Sequence, residues 1–270
     1  MTDSEITTQT TQADFWSSHP CGIDSEFLER RRHRYFMEPW LPAYLEGMCT
    51  AEPLDCLEVG CGRGTDALEL CRHLAPGSRY RAIDYSQESI AVSAQTLQTE
   101  TGEFPVATIP DFTVGNALHL DFPDDHFDLV YSMGVLHHTP DPARAVEEVR
   151  RVLKPGHTCH IFLYRTFSLK VGTARILRGA QRIGDTLTRQ ERVIYSTFLK
   201  DRPPSRSLGT MLHECFGVPF MHSYTRRQTQ KLFANFKSVD IAPYGYNVML
   251  RGQTRGENPF GYFWKITATK

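Results

Sequence analysis

Apolar positions along this chain switch repeatedly between helical spacing and short continuous runs. From Asp24 to about Met48 the spacing predicts a helix, with Phe27, Leu28, Arg31, Tyr35 and Phe36 near a 3.6-residue period and Asp24 or Ser25 as its N-cap. Pro39 and Pro42 should break or kink it. Beyond Pro53, Leu54 to Val59 predicts a strand, followed by a glycine-rich turn and a helix from about Thr65 to Leu74. Tyr80 to Ile83 predicts a second strand ending at Asp84, then a helix over about Gln87 to Thr99 capped by Ser86. Strands over Phe112 to Gly115, Phe127 to Ser132 and Thr158 to Tyr164 follow, with a helix from about Asp141 to Leu153 closed by Lys154-Pro155-Gly156. A helix from about Thr225 to Phe236 and strands over Val239 to Tyr244 and near Tyr262 to Thr267 end the pattern. Such alternation implies an α/β fold, a mostly parallel sheet of seven strands with helices on both faces.

The pattern divides the chain into parts. Residues 1–13, rich in Thr, Gln and Ser, read as a disordered start and not as a signal peptide. Residues 14–50 read as an N-terminal helical cap, 51–165 as a ligand-binding core, and 224–270 as the completion of the sheet. Between them, residues 166–223 hold basic helical stretches and a Pro- and Ser-rich joint at Arg202 to Ser207, the signature of an inserted helical lid.

Composition narrows the class. Hydrophobic residues at 40% and charged residues at 23% fit an ordinary globular chain, and a formal charge of −1 supplies no field for nucleic acid or an anionic surface. The run Arg30-Arg31-Arg32-His33-Arg34 lies among Glu26, Glu29 and Glu38 and reads as a solvated helix face with no nucleic-acid role. The arginines at 175, 178, 182, 189 and 192 read as a solvated face, with an acidic substrate or a lipid headgroup on a membrane surface as the alternatives. No apolar run approaches the roughly 18 residues of a membrane-spanning helix. Seven scattered cysteines, without a C-x-x-C pair, suit a reduced cytoplasmic compartment and no metal site.

The chemistry concentrates in Leu57-Glu58-Val59-Gly60-Cys61-Gly62-Arg63-Gly64-Thr65-Asp66. Three glycines between a strand and a helix form a shelf on which a ligand lies against backbone, where any Cβ would take the ligand's space. Asp84, with Tyr85 beside it, ends the next strand, where a carboxylate accepts both hydroxyl hydrogens of a ribose. The spacing is G-x-G-x-G, not the dinucleotide G-x-G-x-x-G. Together with Glu58 ahead of the loop it resembles class I S-adenosylmethionine-dependent methyltransferases, which implies a Rossmann-like sheet and S-adenosylmethionine as cofactor. By that resemblance Glu58 lies near the cofactor's amino end, where its charge would repel a pyrophosphate. Gly115-Asn116-Ala117 looks like the adenine-side motif, with the Asn116 side-chain oxygen offered to the exocyclic amine. Phe127-Asp128-Leu129-Val130-Tyr131-Ser132 and Met133-Gly134-Val135-Leu136-His137-His138 are similar to the fourth-strand segment of ubiquinone/menaquinone-type methyltransferases. The likeness covers about residues 54 to 164 and places Cys61, Ser132 and Met133 at the cofactor as well.

The resemblance implies methyl transfer to a small-molecule acceptor through an oxygen, nitrogen or carbon nucleophile. His137 and His138 are the candidate bases, because they follow a strand at the carboxyl edge where α/β proteins bind ligands. Phe15, Trp16, Tyr35, Tyr164, His213 and Tyr224 are candidate acceptor contacts, with core packing of Phe15, Trp16 and Tyr35 as the plainer alternative. A cofactor-binding regulator without turnover and a nicotinamide oxidoreductase are the competing readings, and oligomeric state stays open.

Overall fold

Strand alternation divides the molecule into two apolar layers. In β5 (Leu153–Tyr164), Cys159, Ile161 and Leu163 join one core while Phe162 and Tyr164 join the other. The computed structural model describes residues 15–17, 26–100, 105–199, 215–245 and 256–270. With β1 (Asp55–Val59), β2 (Arg79–Asp84), β3 (Pro110–Val114), β4 (Phe127–Met133), β6 (Ser238–Tyr244) and β7 (Phe263–Thr269), the sheet has seven strands in the order β3-β2-β1-β4-β5-β7-β6. β1 to β5 run parallel, and β7 is antiparallel to both β5 and β6. This is the Rossmann-like, mostly parallel α/β sheet that the alternation predicts.

Helices cover both faces. On one, α5 (Pro142–Val152) presents Ala145, Val146, Val149 and Val152 at helical spacing, joined by Phe233 beyond α8 (Arg226–Leu232). On the other, α2 (Leu41–Glu46) and α3 (Thr65–Cys71) bury Leu41, Leu45, Ala67 and Leu70 against Tyr80, Tyr131 and Phe162. The side chain of Asp141 caps α5 by accepting from Arg144 N at 3.0 Å, and Ser86 Oγ caps α4 (Gln87–Glu100) by accepting from Ser89 N at 3.1 Å.

Three local expectations are corrected. The helix from Asp24 to Met48 is two helices, α1 (Phe27–Met37) and α2, with Glu26 as N-cap; Asp24 and Ser25 lie outside the described residues. The break falls at Pro39, whereas Pro42 sits in the first turn of α2, where no intrahelical donor is lost. Lys154-Pro155-Gly156 does not close a helix: β5 starts at Leu153, paired with Phe127, and Lys154 Nζ reaches Asp128 Oδ1 at 2.8 Å.

The third correction concerns the arginine run, which is not a solvated face. Arg30 is buried and donates to Thr96 Oγ1 at 2.8 Å, and Arg31 Nε donates to Glu69 Oε2 at 2.7 Å. Arg34 grips Asp66 with two donors, Nη2 at 2.6 Å and Nε at 3.2 Å. Positions 30, 31 and 34 share one helical face; Arg31 and Arg34 dock on the acids that α3 presents at 69 and 66, and Arg30 on Thr96 of α4.

The segment after β5 carries α6 (Leu169–Thr188) and α7 (Val193–Phe198). Ala174, Tyr195, Cys215, Phe216 and Val218 form a separate core there, and Phe15 completes it. Phe15 and Trp16 therefore pack on this segment, whereas Ser17 Oγ lies 3.0 Å from Ser86 Oγ at the start of α4. Arg178 and Arg192 are not solvated either; they donate to carbonyl oxygens of Val218 at 3.1 Å and Gly217 at 2.6 Å. Among the described residues no helix is long and apolar enough to cross a membrane.

Replacing Asp66 with Asn keeps the volume but removes the counter-ion of Arg34. We expect a stability loss of about 2 to 3 kcal/mol, less than for a fully buried pair because Arg34 keeps part of its surface in water. A urea unfolding midpoint equal to that of the parent would refute this.

Candidate functional site

From the adjacent strands β1 and β4 the chain departs in opposite directions, toward β2 and β3 on one side and toward β5 on the other. Such a switch point opens a crevice at the strands' carboxyl ends. The glycine loop lies there, with Gly60 N and Cys61 N both donating to Ile83 O, at 2.8 and 2.9 Å. The glycines are not equivalent. A Cβ on Gly60 would stand 2.3 Å from the Val135 side chain, and one on Gly64 would stand 2.9 Å from the Phe112 ring. Only Gly62, at φ 53°, would project a Cβ into open space, with nothing within 4 Å. The three-glycine shelf is thus corrected to a one-residue opening, because Gly60 and Gly64 serve packing.

Asp84 sets the loop's position. Its Oδ2 accepts from Gly62 N at 2.8 Å and its Oδ1 from Ser86 N at 2.9 Å, while its backbone oxygen accepts from Gly115 N at 2.9 Å. Burial pushes the Asp84 carboxyl above its ordinary range, against the pull of these backbone donors. A carboxylate has about four lone-pair positions, so two remain for further donors such as ribose hydroxyls.

Across the crevice, the turn Leu136–His138 follows β4, and both histidines are buried. His138 Nδ1 is 2.8 Å from Phe220 O, and its ring packs on Trp16. His137 lies with its ring centroid 3.9 Å from that of Tyr164. The Tyr164 hydroxyl accepts from Lys170 Nζ of α6 at 2.6 Å, and the same ammonium lies 4.7 Å from the centre of the Tyr262 ring. Tyr262 in turn donates to Glu38 Oε1, and Trp40 Nε1 donates to Glu38 Oε2 at 2.5 Å.

The comparisons with known proteins agree with this geometry. Residues 57–161 match the family model described as a methyltransferase domain. A 2-methyl-6-phytyl-1,4-hydroquinone methyltransferase of Synechocystis is 36% identical over 102 residues, 37% of this chain and 29% of that protein. A demethylmenaquinone methyltransferase of Lactiplantibacillus plantarum is 34% identical over 100 residues, 37% of this chain and 40% of that protein. The chain spans less than half the length of the curated relatives it matches. A SAM-dependent methyltransferase structure from Thermotoga maritima superposes with a TM-score of 0.56 at 15% identity, covering 92% of this chain and 98% of that one. Residues 57–161 are a class I methyltransferase domain. S-adenosylmethionine is the cofactor this domain implies. The loop fits it: Gly62 leaves room for a ligand against the backbone, and Asp84 stands beside that room with acceptor capacity left.

Within the methyltransferase domain, the structure sorts the sequence-predicted residues. Gly62, Asp84, Tyr85, Asn116, Ala117 and Met133 lie at the carboxyl edge, half-buried. Asn116 Oδ1 accepts from Leu118 N at 2.9 Å, so that oxygen already shapes its own turn. Ser132 is buried and donates to Val59 O at 2.8 Å, tying β4 to β1, and the Cys61 side chain is buried as well. Tyr35 donates to Asp66 Oδ1 at 3.3 Å, on the α1 side of the crevice and away from Tyr164. Tyr224 packs with the core on the opposite face from Tyr164, so the two phenols do not meet. His213 lies outside the described residues.

Glu58 departs from expectation in its charge. It is buried, accepts from Tyr80 Oη at 2.9 Å, and is pushed up to about 8 by burial first and by neighbouring Asp66 next. At neutral pH it is mostly protonated, so repulsion of a pyrophosphate by its charge is not its contribution. Asp66 closes the glycine-loop segment and Arg34 lies in the arginine run, but the pairings of Arg34, Asp66, Glu38 and Lys170 were not legible in the sequence. Each meets its partner only through packing of separate elements, and Arg34 Nη2 also reaches Met133 Sδ at 3.2 Å.

Two outcomes follow. Gly62→Val should keep the fold within about 1 to 2 kcal/mol, the cost of a side chain at positive φ, yet lose cofactor binding. Gly60→Val should instead lower thermal stability sharply by driving into Val135; equal melting of both variants would contradict this assignment. Because Glu58 titrates higher folded than unfolded, its neutral form's stabilising contribution is complete below about pH 4.5 and is lost as pH rises toward about 8. Glu58→Gln should flatten that fall in a pH series of urea midpoints.

Proposed function

We propose that this chain is an S-adenosylmethionine-dependent methyltransferase acting on a small-molecule acceptor. The observation that carries the reading is the Asp84 carboxylate, held by Gly62 N and Ser86 N beside the one glycine of the loop that opens on empty space. In this reading Asp84 receives the ribose hydroxyls, Gly62 and Cys61 run along the cofactor, and Asn116 and Ala117 border its adenine. Glu58 and Met133, joined through Arg34 and Asp66, border its amino-acid end. When bound, the cofactor supplies an electrophilic methyl group on a sulfonium, open to in-line displacement by a nucleophile.

The acceptor belongs, on this proposal, among the aromatic side chains at the ends of β4, β5 and β7. Tyr164, Tyr262, Phe263 and Trp16 offer apolar area, and the names of the hydroquinone and menaquinone relatives support an apolar aromatic acceptor. Lys170 brings the positive charge that stabilises an acceptor oxygen as it loses its proton. His137, packed against Tyr164, and His138, with its Nδ1 2.8 Å from Phe220 O, are the candidate bases. In this reading Phe15 and Trp16, with the helices α1, α2, α6 and α7, close over the core, which excludes water from the reacting atoms.

Calorimetric titration with S-adenosylmethionine, its demethylated product and NAD tests the reading. We expect the first two to bind and NAD to stay silent, and Asp84→Ala to weaken binding by about 1.5 to 3 kcal/mol as the ribose loses a charged acceptor. NAD binding alone would move the protein to redox chemistry. Cofactor binding without product across a broad acceptor panel would make it a regulator.

A further inference from the structure

We propose that α6 is a docking surface for an anionic membrane, on which it lies flat with its apolar stripe in the headgroup boundary. The helix is 20 residues long, about 30 Å at the usual rise, and is amphipathic twice over. Its inner face carries Val171, Ala174 and Gln181, buried beneath it. Its outer face is apolar too: Leu169, Ile176, Ile183 and Leu187 are between 64% and 79% exposed. Leu169, Ile176 and Ile183 recur every seven residues, and Ala180, also exposed, precedes Leu187 by the same interval. They form one continuous stripe along the helix. Single exposed apolar side chains are ordinary, whereas an unbroken row on one helix face marks an interaction surface.

Charge identifies what meets this stripe. One residue before each of Ile176 and Ile183 stands an exposed arginine, Arg175 and Arg182, and Arg189 at the helix C-cap extends the row by another seven. The row lies about 100° around the helix from the isoleucines. Arg175 touches Ser223 Oγ at 3.0 Å and otherwise faces outward with the others. The acid of this helix, Asp185, is turned inward, where its Oδ1 accepts from Val193 N at 2.8 Å. Within the helix neither flank of the stripe therefore carries an acid, and the first one beyond it is the exposed Glu191, two residues past Arg189. A second copy docked on the stripe would set arginines against arginines or against an uncharged flank, with no complement. An apolar stripe flanked by a row of cations matches a surface with anionic headgroups above acyl chains. The match is at the level of this face, since the whole chain is nearly neutral.

Docking by α6 would also place Tyr164 and Lys170, at its first turn, near the lipid boundary. That consequence alone rests on the methyltransferase reading; the docking itself does not.

Flotation of the full chain, without cofactor, on phosphatidylcholine vesicles with and without phosphatidylglycerol tests the proposal. We expect binding to the anionic vesicles only, weakened by salt. The triple variant Arg175→Gln, Arg182→Gln, Arg189→Gln should lower the partition coefficient on the order of 100-fold. The variant Ile176→Asn, Ile183→Asn, Leu187→Asn should lose binding at low salt as well. All six side chains are exposed, so both variants should melt with the parent. Failure of the parent to bind anionic vesicles, or binding that neither variant weakens, overturns the proposal. So does a parent that binds no vesicle but self-associates in sedimentation velocity and becomes smaller in the isoleucine variant, which would make a second copy the occupant.

Discussion

One buried carboxylate ties the functional edge together. Asp66 stands at the start of the helix that follows the glycine loop, and four donors converge on its two oxygens: Arg34 Nε and Nη2, Tyr35 Oη and Tyr131 Oη. Four donors match the four lone-pair positions of a carboxylate, so the group is satisfied without water. The donors come from α1 and β4, and the acceptor from α3. The N-terminal helix is thus held to the strand whose end forms the crevice, and the loop between β1 and α3 is held at its far end.

Electrostatic consequences spread from that point. Burial raises the affinity of Glu58 for its proton, and neighbouring Asp66 raises it further. Arg34 neutralises Asp66 and still reaches Met133, which places a cation beside the end of β4. On the other side of the crevice, Lys170 plays a comparable part between Tyr164 and Tyr262. On the proposed function, a cofactor with an ionic amino-acid end and an acceptor that loses a proton would meet opposite halves of one polar edge.

The helical segment after β5 has a different logic. Its inner face closes its own small core with Phe15, and Arg178 and Gln181 bind carbonyl oxygens of residues 216 to 219. Its outer face does not contribute to folding at all, which leaves the composition of that face to interaction.

Local chemistry made much of this legible in the sequence. Period-2 and period-3.6 patterns are set by neighbours along the chain, so the seven strands, the cap Ser86, the helix starts near Asp141 and Thr225, and the loop with Asp84 could be read directly. Tertiary structure alone decided the rest. Which glycine opens on a ligand depends on Val135 and Phe112, which lie 75 and 48 residues beyond Gly60 and Gly64 in the chain. Whether Arg31 and Arg34 face water depends on acids on another helix, whether Arg30 does depends on Thr96 of α4, and how readily Glu58 gives up its proton depends on burial that no neighbour in sequence imposes. Spacing along a chain determines which side chains share a face; only packing determines what that face meets.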